Sequence, residues 1–128
     1  MVHFDVPTRT RDQFVNITDQ VQKAVQTLGV VDGTATVFVP HTTCGLTINE
    51  NADPTVVSDM IQQLDLMVPH RQSFYQHSEG NSAAHIKASM MGCSLLVPVV
   101  CGHIELGVWQ GIYLCEFDGP RARRVWVQ

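Results

Sequence analysis

Two segments with helical periodicity and a third, short helical segment, with strand-like segments around them, constrain the fold more than any other feature of the sequence. In the first segment, apolar residues recur three and four positions apart, with Thr18 at the N-cap position and Gly29 at the left-handed stop. The second begins with Asp53 and Pro54, a capping residue followed by proline at the first helical position. The third is a short helix predicted from about Ser82 to Met90.

Most of the remaining chain favours strands. Thr34–Val39 alternates in side-chain character, while Leu95–Val100 is an apolar run that Pro98 interrupts, as in an edge or bulged strand. Ile112–Phe117 and Arg124–Val127 are rich in branched and aromatic residues. Strands therefore follow strands instead of alternating one by one with helices, which favours an α+β fold with mainly antiparallel strands.

The length of 128 residues indicates one domain, residues 1–128, and the composition excludes several classes of partner. Eight basic residues against twelve acidic ones leave a net charge of −4, so no basic surface is expected for nucleic acid or an anionic membrane. Charged residues make up 16% of the chain, against about 25% in average soluble domains. Because so few charges cover the surface poorly, we expect the chain to bury part of it in an oligomer.

The sequence shows no export signal and no cysteine pattern for zinc. Residues 1–7 contain no basic segment followed by an apolar stretch, and the apolar run Leu95–Cys101 is too short to span a bilayer. The four cysteines form no C-x-x-C pair, which favours reduced thiols in the cytoplasm. Cys44, three residues after His41, is an alternative candidate as a nucleophile. No P-loop is present, and no nucleotide cofactor is expected.

Three histidines are candidate metal ligands. His77 and His85 converge if the loop between them folds back over the first turn of the third helix, and His41 follows a strand. Three histidines with an open coordination position are typical of catalytic zinc. Their spacing matches no fixed zinc motif, so a simply solvated or hydrogen-bonded histidine is an alternative at each position. Candidates for binding an anionic substrate are Lys87, Arg121, Arg123 and Arg124, although arginines near a chain end are usually solvated.

Other candidates have equally simple structural roles. Asp53 is well placed to cap the second helix, and Asn81 is well placed to cap the third. Trp109 is as typical of a core or an interface as of a platform for a ligand ring. Residue types alone therefore leave a metal site and an anion site open as alternatives.

Several motifs, in one order and without large insertions, carry a resemblance to a known family. They are HTTCGLTINENADP at 41–54, H-x-EGN-x-x-AHIK at 77–87, LG-x-WQGI at 106–112 and EFDGPR-x-R at 116–123. With these motifs the sequence resembles the YjbQ-like family, whose members are often named secondary thiamine-phosphate synthases. The resemblance implies a β-rich two-sheet sandwich flanked by about three helices, assembled as a homotrimer, with a polar cleft near or at the subunit interface.

The resemblance also implies a function: joining a pyrimidine diphosphate to a thiazole phosphate with release of pyrophosphate. A divalent metal, Mg²⁺ or Zn²⁺, would stabilise the leaving diphosphate together with Lys87 and Arg121. The implied catalytic residues are His41, Glu50, Asp53, His85 and Lys87. The implied substrate-binding residues are Thr42, Thr43, Asn49, Asn51, Glu79, Asn81, Trp109, Gln110 and Arg121.

Within this implied site, the individual roles follow the chemistry of each side chain. Glu50, Asp53 and Glu79 would hold Mg²⁺ through water, and Trp109 would stack on an aromatic ring of the substrate. Two alternatives stay open. One is a metal-dependent hydrolase in which His41, His77 and His85 hold zinc and activate water. The other is a non-catalytic trimer whose cleft binds a metabolite.

Overall fold

The computed structural model describes residues 1–128, which form eight strands and three helices. The strands are β1 (Val2–Pro7), β2 (Gln13–Asn16), β3 (Gly33–Phe38), β4 (Cys44–Glu50), β5 (Ser94–Val100), β6 (His103–Ile104), β7 (Gln110–Glu116) and β8 (Ala122–Val127). The helices are α1 (Thr18–Leu28), α2 (Pro54–Met67) and α3 (Ser82–Met91). None of these helices combines the length and the apolar content needed to cross a bilayer.

The strands form two sheets. The large sheet has the order β1-β8-β3-β5-β6, and the small sheet has the order β2-β7-β4. Every strand pairing in both sheets is antiparallel. The expected α+β fold, with two sheets of antiparallel strands and three helices, is confirmed.

Two apolar clusters hold the layers together. The main cluster is built from both sheets and α1 and includes Ile112 and Leu114, while the second joins α2 and α3 to the small sheet and includes Tyr113 and Cys115. These four residues are consecutive in β7, and successive side chains of a strand point to opposite faces. β7 is therefore buried on both faces, which explains its apolar sequence.

The helix ends agree with the sequence in two places and differ in a third. Gly29 ends α1 in the left-handed conformation, with φ of 74°, and Asp53 caps α2 by accepting a hydrogen bond from the Thr55 N–H. Thr18, however, is the first residue of α1 and not its N-cap. Its hydroxyl instead accepts a hydrogen bond of 2.9 Å from the Ile112 N–H, so the predicted cap residue ties α1 to β7.

The close approach of α3 to β4 depends on Gly45. A Cβ atom at this position would lie 2.8 Å from the Gly92 carbonyl oxygen and 2.8 Å from the Met91 Cβ. Only glycine fits between the two backbones without displacing one of them. This contact sets α3 against the start of β4, next to the segment that carries His41.

Candidate functional site

A cleft of about 710 Å³ opens beside the end of the small sheet where β4 begins and β7 ends. Three segments line it: residues 38–43 before β4, residues 77–81 with His85 of α3, and residues 118–123 around the start of β8. The cleft thus gathers nine of the residues singled out from the sequence. They are His41, Thr42, Thr43, His77, Glu79, Asn81, His85, Arg121 and Arg123.

His41 is held in one tautomer by the backbone. The N–H of Arg124 donates a hydrogen bond of 2.9 Å to Nε2 of His41, so the proton of the neutral ring lies on Nδ1. Burial lowers the pKa of His41, and the positive charge of Arg123 lowers it further. His41 therefore contributes an N–H donor and has no free lone pair on Nε2.

The His41 ring should be neutral at pH 7 as the Nδ1–H tautomer, with a pKa below the usual 6.5. Because the unfolded chain takes up this proton near pH 6.5 and the folded protein only at lower pH, the stability contributed by neutral His41 should decline as the pH falls below 6.5. Nitrogen-15 NMR of the imidazoles checks both statements, with His41→Gln assigning the resonance. A neutral ring protonated on Nε2, or a titration midpoint of His41 above pH 6.5, would contradict this prediction.

His77 and His85 also line the cleft and lie beside each other. Their ring centroids are 5.4 Å apart and the rings are nearly perpendicular, at 86°. The loop before α3 does fold back over the first helical turn, as convergence of the two rings requires. Glu79 lies at the rim, with its carboxylate 3.9 Å from Nε2 of His77. The cleft thus presents two adjacent imidazole rings to a ligand.

The floor of the cleft is a buried ion pair. The Arg123 guanidinium donates Nε–H to one carboxylate oxygen of Glu116 and Nη2–H to the other, and Nη2 also donates to the Thr43 hydroxyl at 2.7 Å. Glu116 accepts a further hydrogen bond from Thr8. Its carboxylate is wholly buried and paired with Arg123, so the two charges offset each other and the pair adds no net negative charge beside the cleft.

A second charged group lies beside this floor. Asp118 accepts hydrogen bonds from Asn81 Nδ2 at 2.8 Å and from Arg121 Nη2 at 2.9 Å. Arg121 also donates Nε–H to the Asp118 carbonyl, which leaves its other terminal nitrogen, Nη1, without a protein partner. Asn81 occupies the N-cap position of α3, but its side chain makes no capping hydrogen bond, and its amide N–H group donates to Asp118. Asp118 thus orients an arginine and an asparagine toward the cleft.

The residues as placed do not fit a resident metal ion. No group of three His, Cys, Asp or Glu side chains is arranged to hold one, and Nε2 of His41 already accepts a hydrogen bond. The carboxylates of Glu50 and Asp53 are outside the cleft that Glu79 lines. Neither the predicted three-histidine zinc site nor the predicted carboxylate site for Mg²⁺ is assembled in this arrangement.

Cys44 does not have the properties of an activated nucleophile. Its side chain is buried at the start of β4, and burial raises the pKa of its thiol to about 11. At neutral pH the thiol is protonated, whereas the reactive species of a nucleophilic cysteine is the thiolate. The alternative of Cys44 catalysis is therefore not supported.

Lys87 was predicted as a catalytic residue, and the structure places it away from the cleft. Its ammonium group is buried and forms ion pairs with Asp12 at 3.0 Å and with Asp65 of α2. It also lies 5.8 Å from the centre of the Phe117 ring. The reason is helical geometry: two residues after His85, a side chain points to another face of α3. Lys87 joins α3 to α2 and to the turn before β2.

Six other predicted residues lie outside the cleft, toward the far end of β4. This end is roughly 20 Å from the cleft, because β4 is an extended strand of seven residues. Some of these residues have structural roles instead: Asp53 caps α2, and Asn51 packs against Gly111. The six residues are Asn49, Glu50, Asn51, Asp53, Trp109 and Gln110.

Reasoning from the sequence missed Asp118, which lines the cleft, and Glu116, which is buried behind it as the partner of Arg123. Both belong to the motif EFDGPR-x-R, of which only the arginines Arg121 and Arg123 were named as candidates for binding an anion. The signal was the pairing of acidic and basic residues across a tight turn between β7 and β8. Charged residues near a chain end are commonly solvated, so their burial could not be inferred from the pattern alone.

Comparisons with known proteins give a consistent result. The sequence model of the family described as UPF0047 protein YjbQ-like matches residues 2–128. The UPF0047 protein YugU of Bacillus subtilis is 46% identical over 123 residues, covering 96% of this chain and 93% of that protein. A UPF0047 protein of Methanocaldococcus jannaschii is 46% identical over 125 residues, covering 98% and 90%.

Solved structures extend this similarity to three dimensions. An uncharacterized conserved protein of the YjbQ/UPF0047 family from Clostridium acetobutylicum superposes with a TM-score of 0.97 at 52% identity, covering 100% of this chain and 98% of that one. A conserved hypothetical protein from Thermus thermophilus gives a TM-score of 0.93 at 45% identity, with the same coverage. The match in sequence and structure over nearly the whole length shows that this chain belongs to the UPF0047, YjbQ-like family.

Proposed function

We propose that the cleft binds a phosphorylated small molecule and that the protein is an enzyme acting on it. The observation that carries this proposal is the convergence of hydrogen-bond donors from three segments: His41, His85 and Arg121 line one cavity of about 710 Å³. Phosphate oxygens accept hydrogen bonds from such donors, and the volume suits a small ligand. Two of the three acidic groups nearby are paired with arginines, Glu116 with Arg123 and Asp118 with Arg121, whereas Glu79 is exposed at the rim.

The finer proposal is the reaction of secondary thiamine-phosphate synthases, which the family resemblance suggests. The thiazole nitrogen attacks the pyrimidine methylene carbon with its lone pair, a C–N bond forms, and the C–O bond to the diphosphate breaks. The thiazole nitrogen carries no hydrogen, so no proton is released when the C–N bond forms. The task of the protein is therefore to align the two substrates and to stabilise the departing pyrophosphate. Mg²⁺ enters this scheme with the diphosphate substrate.

Three side chains have the chemistry for the departing pyrophosphate. The free Nη1 of Arg121 and the Nδ1–H of His41 would donate hydrogen bonds to its oxygens. His85, half-buried in the same cleft, would supply a proton as the charge develops. Lys87 has no part in this scheme, because Asp12 and Asp65 occupy its ammonium group.

The experiment is an assay of thiamine phosphate formation from the two phosphorylated precursors with Mg²⁺, comparing the wild type with His85→Ala. We expect the wild type to form product and the variant to be slower by about 100-fold to 10,000-fold, the usual contribution of a proton donor. Circular dichroism and the melting temperature of both proteins control for folding.

Equal rates for the two proteins would exclude His85 from the reaction. If neither protein forms product, but both precursors raise the melting temperature of the wild type, the cleft is a binding site and the protein is not this enzyme. If the wild type forms no product and neither precursor raises its melting temperature, the proposal that phosphorylated molecules bind here is overturned.

Homotrimer assembly stays a prediction, and exposed apolar side chains support it. Several large ones are more than half exposed in the single chain, among them Leu66 on α2 and Leu96 on β5. Val108 and Trp109 lie exposed together before β7. Apolar surface of this kind favours burial between subunits. Cytoplasmic location likewise stays a prediction of the sequence.

A further inference from the structure

A second cavity of about 510 Å³ adjoins the cleft and has a different character. It is lined mainly by the loop before α3 and by α3, including Phe74, Tyr75 and Ile86. We call this cavity the annex. His77 and His85 line both the cleft and the annex, so these two rings form the wall that the cavities share.

The aromatic residues of the annex are unequally fixed. Tyr75 is anchored, because its hydroxyl donates a hydrogen bond of 3.0 Å to the Pro69 carbonyl and its N–H donates to the Gln72 carbonyl. Phe74 packs edge-on against Tyr75, with ring centroids 5.2 Å apart, and its side chain is 69% exposed. A phenylalanine this exposed beside a cavity leaves apolar surface that a ligand can cover.

The two cavities together have the chemistry of an amphipathic ligand site. The cleft offers donors for a phosphate, whereas the annex offers aromatic and aliphatic surface. Aromatic rings stack or meet edge-to-face with other aromatic rings, and the edge-on pair of Phe74 and Tyr75 supplies such a surface. The histidine rings at the shared wall would contact a ligand that extends from one cavity into the other.

We propose that the annex is the subsite for the aromatic ring of the phosphorylated ligand, with Phe74 as a specificity-determining residue. This inference rests on the proposed function, because it takes the phosphate to lie in the cleft. It moves the ring-stacking role from Trp109, which was predicted from the sequence, to the loop before α3. Trp109 is exposed but lines neither the cleft nor the annex.

Calorimetry with two simple phosphate esters measures the contributions of the two cavities to affinity separately. Ethyl phosphate tests the cleft alone, and benzyl phosphate adds an aromatic ring. We expect the wild type to bind benzyl phosphate about tenfold more tightly than ethyl phosphate, as partial burial of a ring provides. In Phe74→Ala this ratio should fall to about two or less, while the affinity for ethyl phosphate stays the same.

Trp109→Ala and Leu66→Ala are the matched comparisons, since each removes a large exposed side chain outside both cavities. Both should keep the wild-type ratio. Equal affinity for the two esters in the wild type would overturn the subsite while leaving the phosphate cleft intact. A preference for benzyl phosphate that survives Phe74→Ala, or that Trp109→Ala removes, would also overturn it. Failure of both esters to bind would overturn the proposed function and this inference together.

Discussion

Replacing Glu116 by alanine should lower the free energy of unfolding by about 3–5 kcal/mol, the usual effect of removing one partner from a buried ion pair. The Arg123 guanidinium would remain in the protein interior without its carboxylate, and Thr8 would lose its acceptor. The N–H groups of Phe117 and Asp118, which also bond to Glu116, would lose theirs. Urea denaturation of the wild type and the variant measures the difference.

Two further variants show whether the unpaired charge causes this loss. Glu105→Ala removes a carboxylate that is exposed and has no ion pair, and it should change stability by no more than about 0.5 kcal/mol. The double variant Glu116→Leu with Arg123→Met replaces the pair by apolar groups and should recover much of the loss. A double variant no more stable than Glu116→Ala would show that the hydrogen bonds, and not the buried charge, dominate.

The same carboxylate makes stability depend on pH. Burial raises the pKa of Glu116, but hydrogen bonds from Arg123 and Thr8 outweigh that effect and leave the pKa below its usual 4.5. The stabilisation is therefore complete above pH 4.5 and is lost as the pH falls through the lower pKa of the folded protein. In Glu116→Ala this part of the acid-induced loss should be missing from the pH dependence of the urea midpoint.

Replacing Lys87 by methionine should lower the free energy of unfolding by about 3 kcal/mol, near the lower end of the range for breaking a buried pair. Methionine keeps the volume, so the loss comes from the Asp12 carboxylate, whose side chain is only 8% exposed and which would retain only Arg11. Product formation per folded molecule should persist below the melting temperature. This result would assign Lys87 to the structure and not to the reaction.

Asp65 and Asp12 provide the internal comparison for Lys87. The Asp65 side chain is 41% exposed, so Asp65→Asn should cost less than about 1 kcal/mol, whereas Asp12→Asn should cost clearly more. If Lys87→Met keeps full stability but loses product formation, the catalytic role predicted from the sequence holds and the structural role does not.

Much of the fold could be predicted because its signals are local. Apolar periodicity, the cap at Asp53 and the stop at Gly29 all depend on neighbours within a few residues of the chain. The role of Thr18 could not be predicted, because the donor it binds, the Ile112 N–H, is 94 residues away. The same holds for Glu116 and Thr8, which are 108 residues apart.

The types of side chain in the candidate site could be predicted from the sequence, but not which individual residues line the cleft. His41, His77 and His85 were selected as side chains with suitable chemistry, and all three line the cleft. Lys87 was selected on the same grounds, yet its position on α3 directs it toward two carboxylates. Packing between distant segments determines which face of a helix borders a cavity. This packing cannot be inferred from the local sequence.

Because β4 is extended, substitutions at the two ends of its motif should have additive effects on stability. The segment that begins with Thr42 and ends near Asn51 is continuous in sequence, but its two ends are separated by roughly 20 Å. Effects of substitutions on stability are usually additive when sites are more than about 10 Å apart and share no partner. Within one chain, changes at Thr42 and Asn51 should therefore behave as thermodynamically independent, although they belong to one motif.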